Sequence, residues 1–254
     1  MNIYVLLKRT FDTEEKIVIK NGELQEDNAE YIVNPYDEYA VEESILLRDA
    51  HGGTVTVVSV GEEDTEKQLR TAIAMGADEA VLIEDEDVTD GDASTTATIL
   101  AKYLKDKNPT IILAGNMAID GGSGQVGPLV AELLNINVVT TVTKLEINGD
   151  VATIERDVEG DMEKLEVALP LVVTCQQGLN EPRYPSLPGI MKAKKKPLNA
   201  LDLDDLDLHN LEGTTKVNEV ILPEAKAAGR ILEGEIPQQV TELVSILRKD
   251  LKVV

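Results

Sequence analysis

Thr110-Ile111-Ile112-Leu113-Ala114-Gly115-Asn116-Met117-Ala118-Ile119-Asp120-Gly121-Gly122-Ser123-Gly124-Gln125-Val126-Gly127-Pro128 is the stretch from which the fold is read. Residues 110–114 form a continuous apolar, β-branched run, the pattern of a parallel strand covered on both faces. A glycine-rich loop follows, and Pro128 marks the start of a helix carrying Val130, Leu133 and Leu134. Strand, glycine loop and helix in that order make a phosphate cradle. Glycines let backbone N–H groups turn toward an anion, and a helix N-terminus adds about half a positive charge. The spacing matches neither the G-x-G-x-x-G dinucleotide fingerprint nor a P-loop, so a nucleotide cradle and a mobile connection both stay open on pattern alone.

Upstream, the same strand-and-helix rhythm repeats. Ile3 to Lys8 reads as a short strand, and Asn21-Gly22 joins Lys16–Lys20 to Glu23–Gln25 as a hairpin turn. Asn34-Pro35 reads as N-cap and first position of a helix with the apolar stripe Ala40, Val41, Ile45, Leu46 and Ala50, stopped by Gly52. Thr54 to Val60 is a second buried strand, Thr65 to Met75 a helix ended by Gly76, and Ala80 to Ile83 a third strand. The acidic stretch from Glu84 to Asp92 reads as a surface loop, and helix 94–107 is capped by Asp92 or Ser94. Downstream, Val138–Ile147 and Val151–Arg156 form a hairpin across Asn148-Gly149-Asp150, Glu163 to Ala168 alternates, and Leu169 to Thr174 is a last central strand. The expected fold is α/β, a doubly wound, mostly parallel sheet with an antiparallel hairpin region. After Cys175 the texture changes to prolines, a basic run and an acidic leucine-containing run, with a final amphipathic helix from Pro237 bearing Val240, Leu243, Val244, Ile246 and Leu247. The expected division is an α/β domain over 1–196 and an extended C-terminal arm over 197–254. That arm reads either as a segment packing on another chain or as a linker with a terminal helix.

The chain has 254 residues, 24 of them basic and 47 acidic, for a formal net charge of -23. That sign argues against nucleic-acid and membrane-surface binding. One Cys excludes an internal disulfide framework, and with two His it leaves too few ligands for a usual zinc site. Nothing at the N-terminus reads as a leader and no apolar run reaches spanning length, so a soluble cytoplasmic protein without membrane insertion is expected. His51 and His209 lack the context of a general base, Cys175 ends an apolar strand as an inert thiol, and hydrolase and metalloprotease motifs are missing. Neither catalytic nor metal-binding residues are expected. A second strand-to-helix crossing at Asn34-Pro35-Tyr36-Asp37 faces the same crevice as the glycine loop. Further on, Pro182, Pro185 and Pro188 stiffen a loop bearing Leu187, Ile190 and Met191 beside Lys192, Lys194, Lys195 and Lys196. This is either a rigid apolar docking knob with basic steering, or a leucine folded onto the domain next to a solvated face.

Several blocks together resemble the β subunit of electron-transfer flavoprotein. They are Lys8-Arg9 with Asp12, Asn34-Pro35-Tyr36 leading into Ala40-Val41-Glu42-Glu43, and Arg70-Thr71-Ala72 with Ala74 to Asp78. Others are the loop from Gly115 to Gly127, Glu155 to Gly160 through Leu169-Pro170, and Asn180-Glu181-Pro182-Arg183-Tyr184 through Lys196. The likeness spans essentially the whole chain. It implies an adenine-nucleotide-binding type of α/β domain in a heterodimer with an α subunit, which holds most of an FAD. Such a carrier takes electrons from dehydrogenases, such as the acyl-CoA dehydrogenases of fatty acid oxidation, and passes them to a quinone-linked oxidoreductase. The resemblance assigns flavin contacts to Thr13 and Tyr36. It assigns a structural AMP to Leu6, Asn34, Pro35, Tyr36, Asp37, Val60 and the loop Gly115-Asn116-Met117-Ala118-Ile119-Asp120-Gly121-Gly122-Ser123-Gly124-Gln125-Val126. AMP-holding members often have Thr after the Gln, where this chain has Val126. The loop is also partly similar to electron-bifurcating members, whose β crevice takes a second FAD. Leu187, Pro188, Ile190 and Met191 match the partner-recognition loop, and the tail matches the arm that wraps α. Two other readings of the same fold are a stand-alone adenine-nucleotide sensor and a nucleotide-dependent enzyme. The latter needs a cationic or metal-binding group at the cradle, and residues 115–128 contain no Lys or Arg and only Asp120.

Overall fold

A computed structural model describes residues 1–14, 16–20, 22–26, 29–84, 91–209, 211–226 and 228–253. The elements run β1 (Asn2–Leu6), β2 (Arg9–Phe11), β3 (Ile19–Lys20), β4 (Glu23–Leu24), β5 (Tyr31–Val33), α1 (Pro35–His51), β6 (Thr54–Val60), α2 (Glu66–Met75) and β7 (Glu79–Ile83). They continue with α3 (Ala93–Leu104), β8 (Ile111–Gly115), α4 (Val126–Leu134), β9 (Asn137–Asn148), β10 (Val151–Val158), β11 (Asp161–Ala168), β12 (Leu171–Cys175), α5 (Leu187–Ala193), β13 (Asn199–Leu201) and α6 (Ile236–Ser245). The chain divides into two units, Met1–Glu219 and Val220–Val254.

The first unit is built on a nine-stranded sheet in the order β11-β10-β9-β12-β8-β1-β6-β7-β13. From β9 to β13 all neighbours pair in parallel, while β9–β10 and β10–β11 are antiparallel. This is the doubly wound, mostly parallel architecture with a hairpin region that the rhythm of the sequence implies. The continuous apolar runs are explained by burial on both faces: Ile111 and Leu113 join one core with Val41, Ile45 and Leu69, whereas Ile112 and Ala114 join the other with Ile99, Leu104 and Val130. Each fully buried Ile or Leu contributes about 1.5–3 kcal/mol by leaving water. Successive strands from β1 to β6 and β7 step one way, and β8 then lies on the other side of β1. The strand order thus reverses between β1 and β8, and a crevice opens there at the carboxyl ends of the strands.

Local signals act largely as their chemistry requires. The helix α1 ends at Gly52 with φ 73°, and α2 ends at Gly76. Asp92 caps α3, accepting from Ser94 N and Thr95 N, while the Thr95 hydroxyl accepts from Asp92 N. The strands flanking Asn21-Gly22 pair antiparallel over Ile19–Lys20 and Glu23–Leu24, with Asn21 itself outside the described residues. Most of the acidic loop, residues 85–90, also lies outside them.

Several features were not anticipated: Leu187–Ala193 forms the helix α5 where a proline-stiffened loop was expected, and β2 pairs with β5. Asn199–Leu201 adds an edge strand parallel to β7, and Leu203, Leu206, Leu208 and Leu211 pack against the core that holds α3 and α4. The first part of the tail therefore contributes to the sheet and its core. In addition, β9 carries a bulge, where its pairing with both β10 and β12 slips and Thr141 takes φ 57°. A positive φ is costly for a β-branched residue.

In the second unit, α6 begins with Pro237 in its first turn, and Gln238 Oε1 accepts from Glu235 N at 3.1 Å. Val240, Leu243 and Val244 on this helix are exposed. Among the described residues no helix is long and apolar enough to cross a membrane.

Candidate functional site

The crevice between β1 and β8 holds a cavity of about 310 Å³. Its apolar wall comes from Leu6, Val58, Val60, Leu100, Ala114 and Val126, on five different elements. Its polar rim is the backbone from Gly115 to Ala118 and from Ser123 to Gly127, leading into α4. Gly122 and Gly124 take φ 64° and 60°, the left-handed conformation that glycine adopts without strain.

Asn34 and Asp37 hold this loop to the first helix. Asn34 sits at the N-cap of α1, but its side chain makes no capping bond. Instead its amide donates to Met117 O at 2.9 Å and to Asp37 Oδ1 at 3.0 Å, while its oxygen accepts from Ile119 N at 3.2 Å. Asp37 accepts from Lys8 N at 2.7 Å and from Gly115 N at 2.9 Å, so one carboxylate pins the ends of β1 and β8 together. Burial pushes its carboxyl up to about 7 against the pull of these donors. A Cβ on Gly115 would lie 2.3 Å from Asp37 Oδ1 and 2.8 Å from the Tyr36 carbonyl carbon, so only glycine fits here. On the far side, Asn116 Oδ1 accepts from the Thr174 hydroxyl, which in turn accepts from Thr141 N at the bulge in β9.

The cradle has a cation after all. Lys8 lines the cavity, and its Nζ donates to both oxygens of Asp120, at 2.8 and 2.9 Å. Of the residues expected here, Leu6, Asn34, Asp37, Val60, Gly115 to Ala118, Gly121 and Ser123 to Val126 line the cavity. Ile119 and Asp120 support the loop through the bonds above, and Gly122 N closes its turn on Ala118 O. Pro35, Tyr36 and Thr13 are not in the lining; Pro35 and Tyr36 are half-buried at the start of α1, and Thr13 is exposed. Lys8, Val58, Leu100 and the Gly91-Asp92-Ala93 corner line the cavity without having been expected from the sequence.

A second surface is built by Asn180 to Lys196. Glu42 is buried and accepts from Arg183 Nε at 2.7 Å, Nη2 at 2.8 Å and N at 3.2 Å. Asn180 donates to Glu43 and to Tyr39 O, so this loop is fastened to α1. Arg70 on α2 donates to Ala193 O at 2.7 Å, and Lys196 Nζ donates to Ala77 O and Asp78 O. Lys196 is therefore a structural tie, while Lys192, Lys194 and Lys195 are exposed. On this platform Leu187 is 80% and Tyr184 94% exposed, with Met191 and Ile190 beside them. Leu187 does not fold back onto the domain.

The sequence profile of the electron transfer flavoprotein domain matches residues 22–206. The chain is 60% identical over 257 residues to the electron transfer flavoprotein subunit beta of Bacillus subtilis (strain 168), covering 100% of both. It belongs to the electron transfer flavoprotein β-subunit family. The subunit beta of Syntrophomonas wolfei is 40% identical, covering 100% of this chain and 98% of that one. The caffeyl-CoA reductase-Etf complex subunit CarD of Acetobacterium woodii is 36% identical over 98% of each chain. An electron transfer flavoprotein carries electrons on a bound flavin, and the protein's share is binding, orientation and electrostatics. The inert setting of Cys175, whose thiol burial pushes up, agrees with such a division of labour.

The cavity is of a size and lining that could take a small ligand. Its volume is at the low end of the ~300–1,000 Å³ usual for small-ligand sites. Apolar side chains line one part of it, and the glycine turn, the start of α4 and Lys8 are groups that could hold an anion.

Proposed function

We propose that this chain is the β half of a heterodimeric FAD-containing carrier that collects electrons from dehydrogenases and delivers them to a quinone-linked oxidoreductase. The observation that carries the reading is the crevice between β1 and β8: a cavity of about 310 Å³ lined by the glycine loop and by Lys8. In this reading the cavity holds AMP as a structural ligand. Lys8 turns part of its charge from Asp120 to the phosphate, and the amides of the Ser123–Gly127 turn replace the hydroxyl that Val126 lacks.

FAD, held mainly by the α subunit, supplies the one- and two-electron chemistry. Thr13 and Tyr36 cover one side of its ring, and their place outside the cavity is compatible with that separate task. Leu187, supported by Pro188, Ile190 and Met191, enters an apolar pocket on a dehydrogenase such as an acyl-CoA dehydrogenase. The exposed lysines beside it steer the encounter. Residues 197–254 form the arm that holds the α subunit, and the exposed face of α6 is suited to such packing. The assembly works in the cytoplasm and has no substrate turnover of its own.

The test is to purify the complex of both subunits, denature it, and identify the released nucleotides by mass. One FAD and one AMP per heterodimer are expected. Two FAD and no AMP would replace this reading with the electron-bifurcating one, and neither nucleotide would overturn both.

A further inference from the structure

The cavity has one wall that no part of the proposed function uses. Gly91, Asp92 and Ala93, at the start of α3, line it. Asp92 does two things at once. Its Oδ1 caps the helix, accepting from Ser94 N at 3.0 Å and Thr95 N at 3.1 Å. Its Oδ2 is seized by the tail: Thr214 Oγ1 donates at 2.6 Å, Thr214 N at 2.8 Å, Thr215 N at 2.9 Å and Thr215 Oγ1 at 3.2 Å. These donors lie 122 and 123 residues away in sequence. Four donors converging on one ionised oxygen make a charge-assisted clasp, and they hold the carboxyl well below its ordinary range.

The clasp terminates a longer strap. Leu201 O accepts from Glu84 N at 2.7 Å where β13 joins the sheet edge. Leu203, Leu206, Leu208 and Leu211 then lie against the core that α3 shares, and the turn at Asp204–Leu206 touches α3 itself. The strap thus runs from the sheet edge along α3 and ends on the residue that is both its N-cap and part of the cavity wall.

We propose that Thr214 and Thr215 are positioning residues for the nucleotide cavity: their clasp on Asp92 fixes the Gly91-Asp92-Ala93 wall, so that strap closure and ligand retention are linked. The ligand in this inference rests on the nucleotide reading given above. Linkage is reciprocal. A ligand that needs the wall in place stabilises the closed strap, and an opened strap releases the ligand faster.

Two variants separate this from simpler effects. Asp92→Asn keeps a good N-cap. With its oxygen committed to Ser94 N and Thr95 N, it turns an NH2 group toward four donors and breaks the clasp. Removing a negative charge from the cavity wall would by direct electrostatics strengthen binding of an anionic nucleotide, the opposite of what an opened wall does. Thr214→Val with Thr215→Val removes two hydroxyl donors without touching the cavity.

In the full-length chain loaded with radiolabelled AMP and chased with unlabelled AMP, Asp92→Asn is expected to release label about tenfold faster. The double valine variant should show a smaller change in the same direction. Hydrogen exchange at the amides of residues 211–219 should quicken in both variants, and in wild type AMP should slow exchange at Thr214 and Thr215. Faster exchange with unchanged or slower release of AMP overturns the clasp. A wild-type chain that takes up no AMP overturns the nucleotide reading, and this inference with it.

Discussion

Asp37 shows how much one side chain can be asked to do in a crevice of this kind. Three N–H donors, from Lys8, Gly115 and Asn34, favour its ionised form, yet burial outweighs them and lifts the carboxyl from 3.8 to about 7. Between those two values the folded chain holds a proton that the unfolded chain has released. The contribution of Asp37 to stability therefore falls as pH rises from about 4 to about 7. Asp37→Asn carries no such dependence. Melting curves should show wild type losing several degrees relative to Asp37→Asn between about pH 5 and about pH 8; curves that run parallel would show that the group titrates normally. The same scale sets the limit of sequence reading. The Asn34-Pro35 pair marks the helix start by its backbone requirements, but the Asn34 side chain is diverted to the loop 83 and 85 residues away. Lys8 was visible as a motif residue, though not as the cradle's cation, because its partner Asp120 lies 112 positions on.

At the scale of elements, the surface from Asn180 to Lys196 separates into an exposed tip and a mount. The helix α5 has seven residues and is too short to be stable alone. Ser186 caps it by accepting from Gly189 N, and Gly189 brings it so close to α2 that a Cβ would lie 2.5 Å from Ala74 O. Arg183 on Glu42 and Arg70 on Ala193 O complete the mount. Leu187→Ala is expected to slow flavin reduction by the dehydrogenase, leaving melting temperature and flavin content as in wild type, because an exposed side chain contributes little to folding. Equal reduction rates would remove the docking role. Arg183→Ala leaves the buried Glu42 carboxylate without its guanidinium, so it should lower stability by about 1–3 kcal/mol and slow reduction as well. A denaturant titration alongside stopped-flow kinetics distinguishes the two variants. Strands and helices with a full apolar period were legible in the sequence because both faces of the sheet are covered. Asn199–Leu201 was not, since three residues flanked by Pro197 and an acidic run become a strand only through the free edge of β7. The bulge at Thr141 was equally hidden, because no local signal marks a β-branched residue for positive φ.

For the whole molecule, charge and the placing of the few thiol and imidazole groups set the terms. The net charge is -23, the one thiol is buried and both histidines are exposed. In the proposed reading, oxidation and reduction belong to a cofactor that this chain shares with its partner, and its own residues serve binding. Division of the chain at Glu219 has a further consequence. The residues that line the crevice all lie within Met1–Glu219, whereas Val240, Leu243 and Val244 of α6 leave exposed apolar area that a second chain would remove from water. Nucleotide and flavin binding should therefore separate experimentally. The full-length chain purified alone is expected to be colourless and to carry AMP. Adding its α partner and FAD should give a yellow heterodimer without displacing that AMP. Size-exclusion chromatography with absorbance at flavin wavelengths reads both properties in one run. A yellow chain in the absence of the partner, with stoichiometric FAD, would mean that the crevice between β1 and β8 admits a dinucleotide and that its walls open beyond the closed form described above.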